Sequence, residues 1–343
     1  MSYQLQEEET LGEGMRRIIS RRIEEAIMAS KQKANGASSP VHETRKHLKQ
    51  ARAALRMIAG EVKRRHVRRE GRALRDVARL ISEIRDAEVR LQTVKQLRNL
   101  SSWRKDRNFR ETEELLAFEL DSFLAAFSGW QDEARTKLSR ARDRMVKWPL
   151  GNVTCKTLRR ATQGSYKRGR EALRCALRKP SAKKFHAFRK EAKQLWYQLR
   201  LLRPIHPVVL KDLAGELKTI GQHLGHAHDL SFLAARLRSS GRGRKQGGRI
   251  LGALIEAREE ELQRMAAALG KRFYAQRPRD FGRTISEYFA EWESAKRRGP
   301  GRAQAGGHRR RQKTRHANVT GDPLTRALRV AQNIRNLVTA GIT

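Results

Sequence analysis

The sequence predicts an all-α protein built from duplicated helical bundles. Apolar residues recur at helical spacing through most of the 343 residues, and the chain contains only eight prolines. Strand signals, meaning alternating β-branched residues bounded by Asn-Gly turns, are essentially absent. A basic helix and a second element after it each occur twice. We therefore expect two four-helix units related by a pseudo-twofold axis.

Breaks in the apolar pattern set the boundaries of the predicted helices. The first helix runs from Leu11 to Ser30, with Met15, Ile18 and Ile23 directed inward. After a turn over 34–39, Pro40 opens a second helix in its first turn, where the missing N–H costs least. The remaining helices are predicted at about 62–97, 109–128, 131–147, 153–178, 181–202, 207–238, 247–269 and 279–296.

The C-terminal part of the chain differs in composition from the helical body. Residues 299–321 form a basic low-complexity linker, which we expect to be disordered. A short amphipathic segment follows at 322–343. The last 45 residues carry nine lysines and arginines and one acid, so most of the positive charge lies in the helical body.

The charge balance points to a polyanionic partner. Lysine and arginine number 76 against 36 acidic residues, which gives a formal charge of +40. A folded protein with this imbalance repels itself unless an anion binds it, so nucleic acid, anionic membrane and polymeric phosphate are the candidate partners. Aromatic residues make up only 6% of the chain, which argues against a site that depends on base stacking.

The sequence gives no sign of export or membrane insertion. Its two cysteines, Cys155 and Cys175, lack the Cys-x-x-Cys spacing, so we expect a reducing compartment and no disulfide framework. The N-terminus lacks the pattern of a signal peptide. No stretch approaches the roughly 20 apolar residues of a membrane span. We therefore expect a cytoplasmic location without membrane association.

Two segments repeat in the same order at nearly equal offsets. VHETRKHLKQARAALRMI, from Val41, recurs as FHAFRKEAKQLWYQLRLL, from Phe185, at an offset of 144 residues. LRDVARLISEIRDAEV, which contains Arg85-Asp86, recurs 143 residues later as LKTIGQHLGHAHDLSF, which contains His228-Asp229. We place the first repeat at about 8–147 and the second at about 153–295.

The repeated helix has one basic face and one apolar face. On a helical wheel the basic residues of its first copy fall within roughly 120°, and they are His42, Arg45, Lys46, Lys49, Arg52 and Arg56. The second copy presents His186, Arg189, Lys190, Lys193 and Arg200, with Trp196 in place of Arg52. Each turn rises about 5.4 Å, so each copy offers a row of cations suited to an extended, regularly charged chain. Lysine and arginine bind phosphate oxygens without losing their protons.

Other helices carry less specific basic faces. One is formed by Arg64, Arg68, Arg72, Arg75 and Arg79, and another by Lys156, Arg160, Lys167, Arg170, Arg174 and Arg178. An ordinary solvated face explains these about as well as a binding role. As additional binding residues we single out Arg17, Arg72, Arg75, Arg79, Lys167, Arg170 and Arg174.

Carboxylates and histidines near the repeats allow other chemistry. Asp86 and Asp229 lie at the end of the two repeated segments. They could act as catalytic acids or as partners that orient the arginines, and we favour the second role. His223, His226 and His228 resemble a metal site, but spacings of three and five do not place all three on one face of a helix. No cysteine or carboxylate cluster joins them. We therefore expect no metal and no cofactor.

HETRKHLKQARAALR and HAFRKEAKQLWYQLR, followed by SEIRDAEV and LGHAHDLSF, resemble the two halves of the CHAD family, the conserved-histidine α-helical domain. The resemblance covers roughly 8–295. It implies two packed bundles with a basic central groove or pore, binding of inorganic polyphosphate, and residence on polyphosphate granules in some bacteria. By motif, the binding residues are those of the two basic rows, which we expect to face each other. The chain departs from the family pattern at two positions. Ser82 stands where the family usually has glycine, although the matching position in the second repeat is Gly225, and Trp196 replaces a basic residue.

Three functions remain open on these grounds. The first is a non-catalytic polyphosphate-binding module. The second is a general nucleic-acid binder, which the charge permits but no recognisable nucleic-acid motif supports. The third is an enzyme acting on phosphoanhydrides, which needs a carboxylate cluster for Mg²⁺. Some relatives of the family carry a triphosphatase domain with a Glu-x-Glu-x-Lys element, and this element is absent here. We therefore expect no enzymatic activity.

Overall fold

A computed structural model describes residues 3–32, 39–100, 107–239 and 246–298. Most of the predicted turn at 34–39, most of the basic loop near 241–248, the linker at 299–321 and the segment at 322–343 lie outside these residues. Within the described ranges the chain has no strand, and the predicted all-α fold is confirmed.

The described residues form eleven α-helices and one short 3₁₀ helix. The α-helices are α1 (Leu11–Lys31), α2 (Pro40–Met57), α3 (Arg64–Leu80), α4 (Ser82–Leu100), α5 (Arg107–Ala126), α6 (Trp130–Val146), α7 (Cys155–Arg178), α8 (Ala182–Leu202), α9 (Pro207–Ser239), α10 (Gln246–Phe273) and α11 (Pro278–Arg298). The 3₁₀ helix, Arg203–Ile205, joins α8 to α9. None of the described helices is both long and apolar enough to cross a membrane.

Polar caps define where the two repeated helices start. The Ser39 hydroxyl accepts the backbone N–H of His42, and Pro40 occupies the first turn of α2 as predicted. Ser181 caps α8 in the same way through the N–H of Lys184. The caps fix the register of the His-x-x-Arg-Lys-x-x-Lys motif at the start of each helix.

The prediction of one continuous helix over 62–97 is wrong, because the chain breaks at Ile81 between α3 and α4. The Ser82 hydroxyl donates to the carbonyl oxygen of Arg79 at 2.7 Å, and Arg45 donates to the carbonyl oxygen of Ala78 at 2.9 Å. In an unbroken helix these carbonyls accept from amides four residues later. Side-chain donors therefore stabilise the break, and serine competes for backbone groups in this way. The matching part of the second repeat, α9, is one helix of 33 residues.

Residues Met1–Trp292 form one compact unit, and Glu293–Thr343 is assigned to a second unit. The main core of the first unit contains residues of both repeated helices, including Leu48 and Leu55 of α2 and Phe188 and Leu195 of α8. These side chains occupy the predicted apolar faces and are buried. The boundaries of the two repeats and their pseudo-twofold relation stay predictions.

The repeated helices α2 and α8 pack directly against each other. The buried Gln194 accepts a hydrogen bond from Arg56 at 2.9 Å and donates to the carbonyl oxygen of Ala53 at 3.4 Å. The N-terminal segment contacts both helices, because the Tyr3 hydroxyl donates to the Gln50 carbonyl and the Leu5 amide donates to the Leu201 carbonyl. These contacts hold the two basic faces close together.

A buried carboxylate joins α3 to α6. Glu70 is 0% exposed and accepts two hydrogen bonds from Arg144, at 2.7 and 2.8 Å, and one from Arg69 at 2.6 Å. A buried carboxylate without such donors is strongly destabilising. The Arg144 guanidinium therefore fixes α3 on the side of α6.

We predict that Arg144→Met lowers the free energy of unfolding by about 2 kcal/mol, because Glu70 then loses its bidentate partner inside the protein. Adding Glu70→Leu should recover most of this loss, since the buried charge is gone. Arg142→Met is the control and should cost less than about 0.5 kcal/mol, because its partners Asp143 and Glu24 both have solvent-exposed side chains. Urea unfolding followed by circular dichroism measures all three. Equal losses for Arg142→Met and Arg144→Met would contradict the assignment.

Candidate polyanion-binding site

Five cations from three helices come together between the repeated helices. We define the central cluster as Arg45 and Lys49 of α2, Arg85 of α4, and Arg189 and Lys193 of α8. Burial, together with the charges of the other four members, lowers the pKa of Lys49 to about 7. Burial and the charges of Arg189 and Arg85 lower the pKa of Lys193 to about 8, against the opposing effect of Asp229. The structure therefore brings predicted residues of both rows into one electrostatic cluster.

The Lys49 side chain is exposed to solvent although the surrounding protein lowers its pKa. The Lys49 side chain is therefore close to many protein atoms and still accessible to water. Lys193 and the three arginines of the cluster are half-buried. A soluble anion can therefore reach the cluster from the solvent, and Lys49 is the member that it meets most openly.

The two predicted histidines lie at the edge of the central cluster. Burial lowers the pKa of His42, and the charge of Arg85 lowers it further. His186 faces His228 of α9, with their Nδ1 atoms 3.3 Å apart and their ring centroids 4.2 Å apart. Burial, and then the neighbouring His186, lower the pKa of His228 to about 3, so this ring is neutral at pH 7. The lowered pKa values favour the neutral form of both histidines, which leaves the pair as a hydrogen-bonding group.

The structure separates the three histidines of α9. His228 contacts His186, whereas His226 is exposed and His223 is half-buried. Within the described ranges, no group of three or more His, Cys, Asp or Glu side chains is placed to hold a metal ion. The described partner of His228 is thus another imidazole from the site.

Each repeat places an aspartate near its own arginine. Burial raises the pKa of Asp86, and the charge of Arg45 opposes this shift more than any other neighbour. Asp229 has the same relation to Arg189 in the second repeat. This arrangement fits the interpretation that the aspartates orient the arginines. Arg85 has a carboxylate partner too, since it pairs with Glu88 at 3.0 Å.

Two glycines of α9 allow the second basic row to lie along that helix. A Cβ atom on Gly225 would stand 3.6 Å from Nη2 of Arg189, and one on Gly221 would stand 3.6 Å from Cε of Lys193. Any side chain longer than a methyl group would displace these cations. Among the described residues, Nε of Arg189 has no hydrogen-bond partner. Ser82 takes the place of Gly225 in the first repeat, where Arg45 instead binds the break between α3 and α4.

A second basic group lies further along α2. Burial and the charges of Arg56 and Arg75 lower the pKa of Arg52 to about 10. Burial also lowers the pKa of Arg56, and the charges of Arg168 and Arg75 lower it further, while Glu191 opposes these effects. The predicted additional residue Arg75 thus lies beside the first row. Sequence reasoning did not select Arg168 of α7.

Other predicted binding residues lie apart from the central cluster or have internal partners. Arg200 stacks over Trp196, 4.9 Å from its ring centroid, and over Tyr3, 5.9 Å from its centroid. Lys46 is exposed and pairs with Glu43 at 2.5 Å, and Lys190 is exposed. Trp196, which replaces Arg52 in the second repeat, therefore stacks with Arg200 one helical turn later.

The additional residues on α1 and α7 divide into engaged and exposed side chains. Arg17 binds Glu9 and the carbonyl oxygen of Gln4, so it holds the N-terminal segment. Arg170 donates to the carbonyl oxygen of Tyr274 at 3.0 Å. Lys167 pairs with Glu171 at 3.9 Å, and Arg174 is exposed. The electrostatic contacts described for the central cluster do not include these four residues.

Arg85 is the cluster member that sequence reasoning missed. Its charge lowers the pKa of His42, Arg45, Lys49, Arg189 and Lys193, so it contacts both rows electrostatically. The sequence carried a signal for it, because Arg85-Asp86 and His228-Asp229 occupy matching positions in the repeats. Arg85 belongs to the central cluster, and His228 contacts His186 at its edge.

Comparisons with known proteins agree with this architecture. The family model described as CHAD domain matches residues 18–238. A crystal structure of the CHAD domain from the plant Ricinus communis is similar with a TM-score of 0.51 and 16% identity, covering 86% of this chain and 94% of that chain. At this identity the likeness shows the fold alone. No curated protein matches the chain. The matched residues extend from α1 to α9 and exceed half of the sequence, so the chain belongs to the CHAD domain family.

Proposed function

We propose that this protein binds inorganic polyphosphate and does not cleave it. The observation that carries the proposal is the central cluster, which gathers cations from both repeated helices. Three carboxylates, Asp86, Asp229 and Glu88, are its described acidic neighbours. The CHAD family is commonly linked to binding of phosphate compounds, including polyphosphate.

Mutual repulsion among the cations explains why an anion should bind here. The lowered pKa values of Lys49 and Lys193 reflect burial and like charges, both of which raise the free energy of the protonated lysines. A bound polyanion reverses the second effect. A linear chain with one charge per phosphate suits rows of cations spaced by helical turns of about 5.4 Å. Release of counterions from such a polymer adds affinity that decreases steeply with salt.

The carboxylates near the cluster support binding rather than hydrolysis. Asp86 and Asp229 each face an arginine, and Glu88 pairs with Arg85. A hydrolase that uses Mg²⁺ or Mn²⁺ needs oxygen ligands free to coordinate the ion. Incubation of the protein with polyphosphate and either cation tests this part of the proposal. Release of phosphate that Asp86→Ala abolishes would contradict it.

Nucleic acid is the second candidate ligand, favoured by the formal charge of +40. Competition separates it from the first. If the proposal is right, long-chain polyphosphate displaces labelled duplex DNA at phosphate concentrations far below those at which DNA displaces polyphosphate. Equal displacement at equal charge would leave only general polyanion binding. Residence in the cytoplasm and on polyphosphate granules is part of the proposal and is tested by imaging a fluorescent fusion.

We predict that Lys49→Gln/Lys193→Gln weakens binding of polyphosphate by about 100-fold, since two charge-assisted contacts of about 1.5 kcal/mol each are removed. The thermal midpoint should stay the same or rise, because two crowded like charges disappear. Lys211→Gln/Lys218→Gln removes two exposed charges from α9 and serves as the matched control. Isothermal titration measures the affinities. An equal loss in both variants would show that net charge, and not the cluster, determines binding.

We also predict that affinity for polyphosphate decreases as the pH rises from about 6.5 to about 9 at fixed ionic strength. Lys49 and Lys193 are charged below their pKa values of about 7 and about 8 and lose their protons above them. Binding must then restore the protons, so each lysine costs up to about tenfold in affinity per pH unit above its pKa. Calorimetry in buffers with different protonation enthalpies should detect proton uptake, and Lys49→Gln/Lys193→Gln should lose it. A flat pH profile would refute the linkage.

A further inference from the structure

Helix α3 presents a row of arginines to solvent. The exposed members are Arg64, Arg68, Arg72, Arg75 and Arg79, spaced by three or four residues along one face. Within the described ranges, Arg64, Arg68 and Arg72 form no ion pair with any acid. On α6, by contrast, Arg135 pairs with Asp132 and Lys137 pairs with Glu133. The first three arginines of the row, Arg64, Arg68 and Arg72, therefore form a band of uncompensated charge.

The acidic residues of α3 do not neutralise this band. The helix contains Glu70, which is buried and bound to Arg144, and Asp76, which lies 3.7 Å from Arg79 at the other end. The first turn of α3 has no acid and no side-chain cap. Arginines beside free backbone N–H groups at a helix start repel each other and attract anions. A face that serves only solubility mixes both signs of charge.

The row continues from the basic face of α2. A Cβ atom on Gly71 would stand 3.8 Å from a methyl group of Leu55, and Arg45 binds the carbonyl oxygen of Ala78. These contacts show that α3 runs antiparallel to α2. Arg75 lies between them, and its charge affects both Arg52 and Arg56. Cations therefore follow one another from the central cluster, past Arg52 and Arg75, to the start of α3.

We propose that the arginine row of α3 is an extension of the polyphosphate site, which holds the part of the same chain that leaves the central cluster. This inference rests on the proposed function. From Arg64 to Arg79 the row is about 22 Å long at 1.5 Å per residue. A tripolyphosphate ion in the central cluster is too short to reach its far end, whereas a long chain fills both parts. The protein therefore binds long chains more tightly than short ones.

A single unbranched polyphosphate fits this row better than duplex nucleic acid. The cations lie in one line on one helix, and they lead directly into the central cluster. A linear chain can follow them to the central cluster without changing its form. A rigid duplex can touch the exposed row, but it cannot bend sharply enough to follow the cations from α3 into the central cluster.

The test compares two ligands and two variants of the full chain. Arg64→Gln/Arg68→Gln/Arg72→Gln removes the far part of the row and leaves Arg75 and the central cluster intact. Lys271→Gln/Arg277→Gln/Arg279→Gln removes the same charge from exposed positions around the turn between α10 and α11. Glutamine favours helix, so both variants should keep their thermal midpoints. The ligands are tripolyphosphate and long-chain polyphosphate, titrated at several salt concentrations.

The α3 variant should bind long-chain polyphosphate about ten- to thirtyfold more weakly than the unaltered protein. The slope of log K against log salt should fall by about 2, since three phosphate contacts at about 0.7 each are lost. Its affinity for tripolyphosphate should change by less than about twofold. The control variant should lose less than about threefold for both ligands.

Each contrary result has a different meaning. Equal losses for both ligands, or no loss for the long chain, would overturn the extension while leaving the central cluster in place. A loss confined to duplex DNA would assign the row to nucleic acid instead. If the unaltered protein binds neither phosphate ligand, the proposed function itself fails and the extension fails with it.

Discussion

The candidate binding site depends on apolar packing that holds like charges close together against their electrostatic repulsion. The buried faces of α2 and α8, with Leu48 and Leu55 on one helix and Phe188 and Leu195 on the other, leave the basic faces no freedom to separate. Hydrophobic burial of this kind stabilises by about 25 cal/mol per Å². It can therefore keep Lys49 and Lys193 close enough to affect each other electrostatically, although their charges oppose it. The apolar core therefore opposes the electrostatic repulsion among the five cations of the central cluster.

The carboxylates and histidines moderate this repulsion without cancelling it. Asp86 and Asp229 offset part of the charge of Arg45 and Arg189, and burial keeps His186 and His228 from adding more. A cluster neutralised by acidic side chains would attract an anion only weakly. A cluster without any carboxylate would have stronger repulsion among its cations. The central cluster has some neighbouring carboxylates but more cations than carboxylates, so a net positive charge remains to attract a ligand.

The two repeats reach similar sites by different local structures. In the second, Gly221 and Gly225 let Lys193 and Arg189 lie along an unbroken α9. In the first, Ser82 replaces the glycine, the helix breaks at Ile81, and Arg45 binds an exposed carbonyl at the break. The same motif therefore holds its arginine by packing in one repeat and by a hydrogen bond in the other. Trp196 adds a further difference, because it stacks under Arg200 where the first repeat has Arg52.

The sequence alone determined the helical fold, the basic and apolar faces of α2 and α8, and the family, because helical periodicity and repeated motifs are local properties. It could not show the break at Ile81, which depends on a donor from Arg45, a residue 33 positions away. Nor could it show that Arg85 joins both rows, that His228 pairs with His186, or that Arg17 and Arg170 are engaged elsewhere. A helical wheel gives the direction of a side chain within one helix. The distances between helices determine which cations repel each other and which form ion pairs or hydrogen bonds. Only the tertiary structure decides those distances.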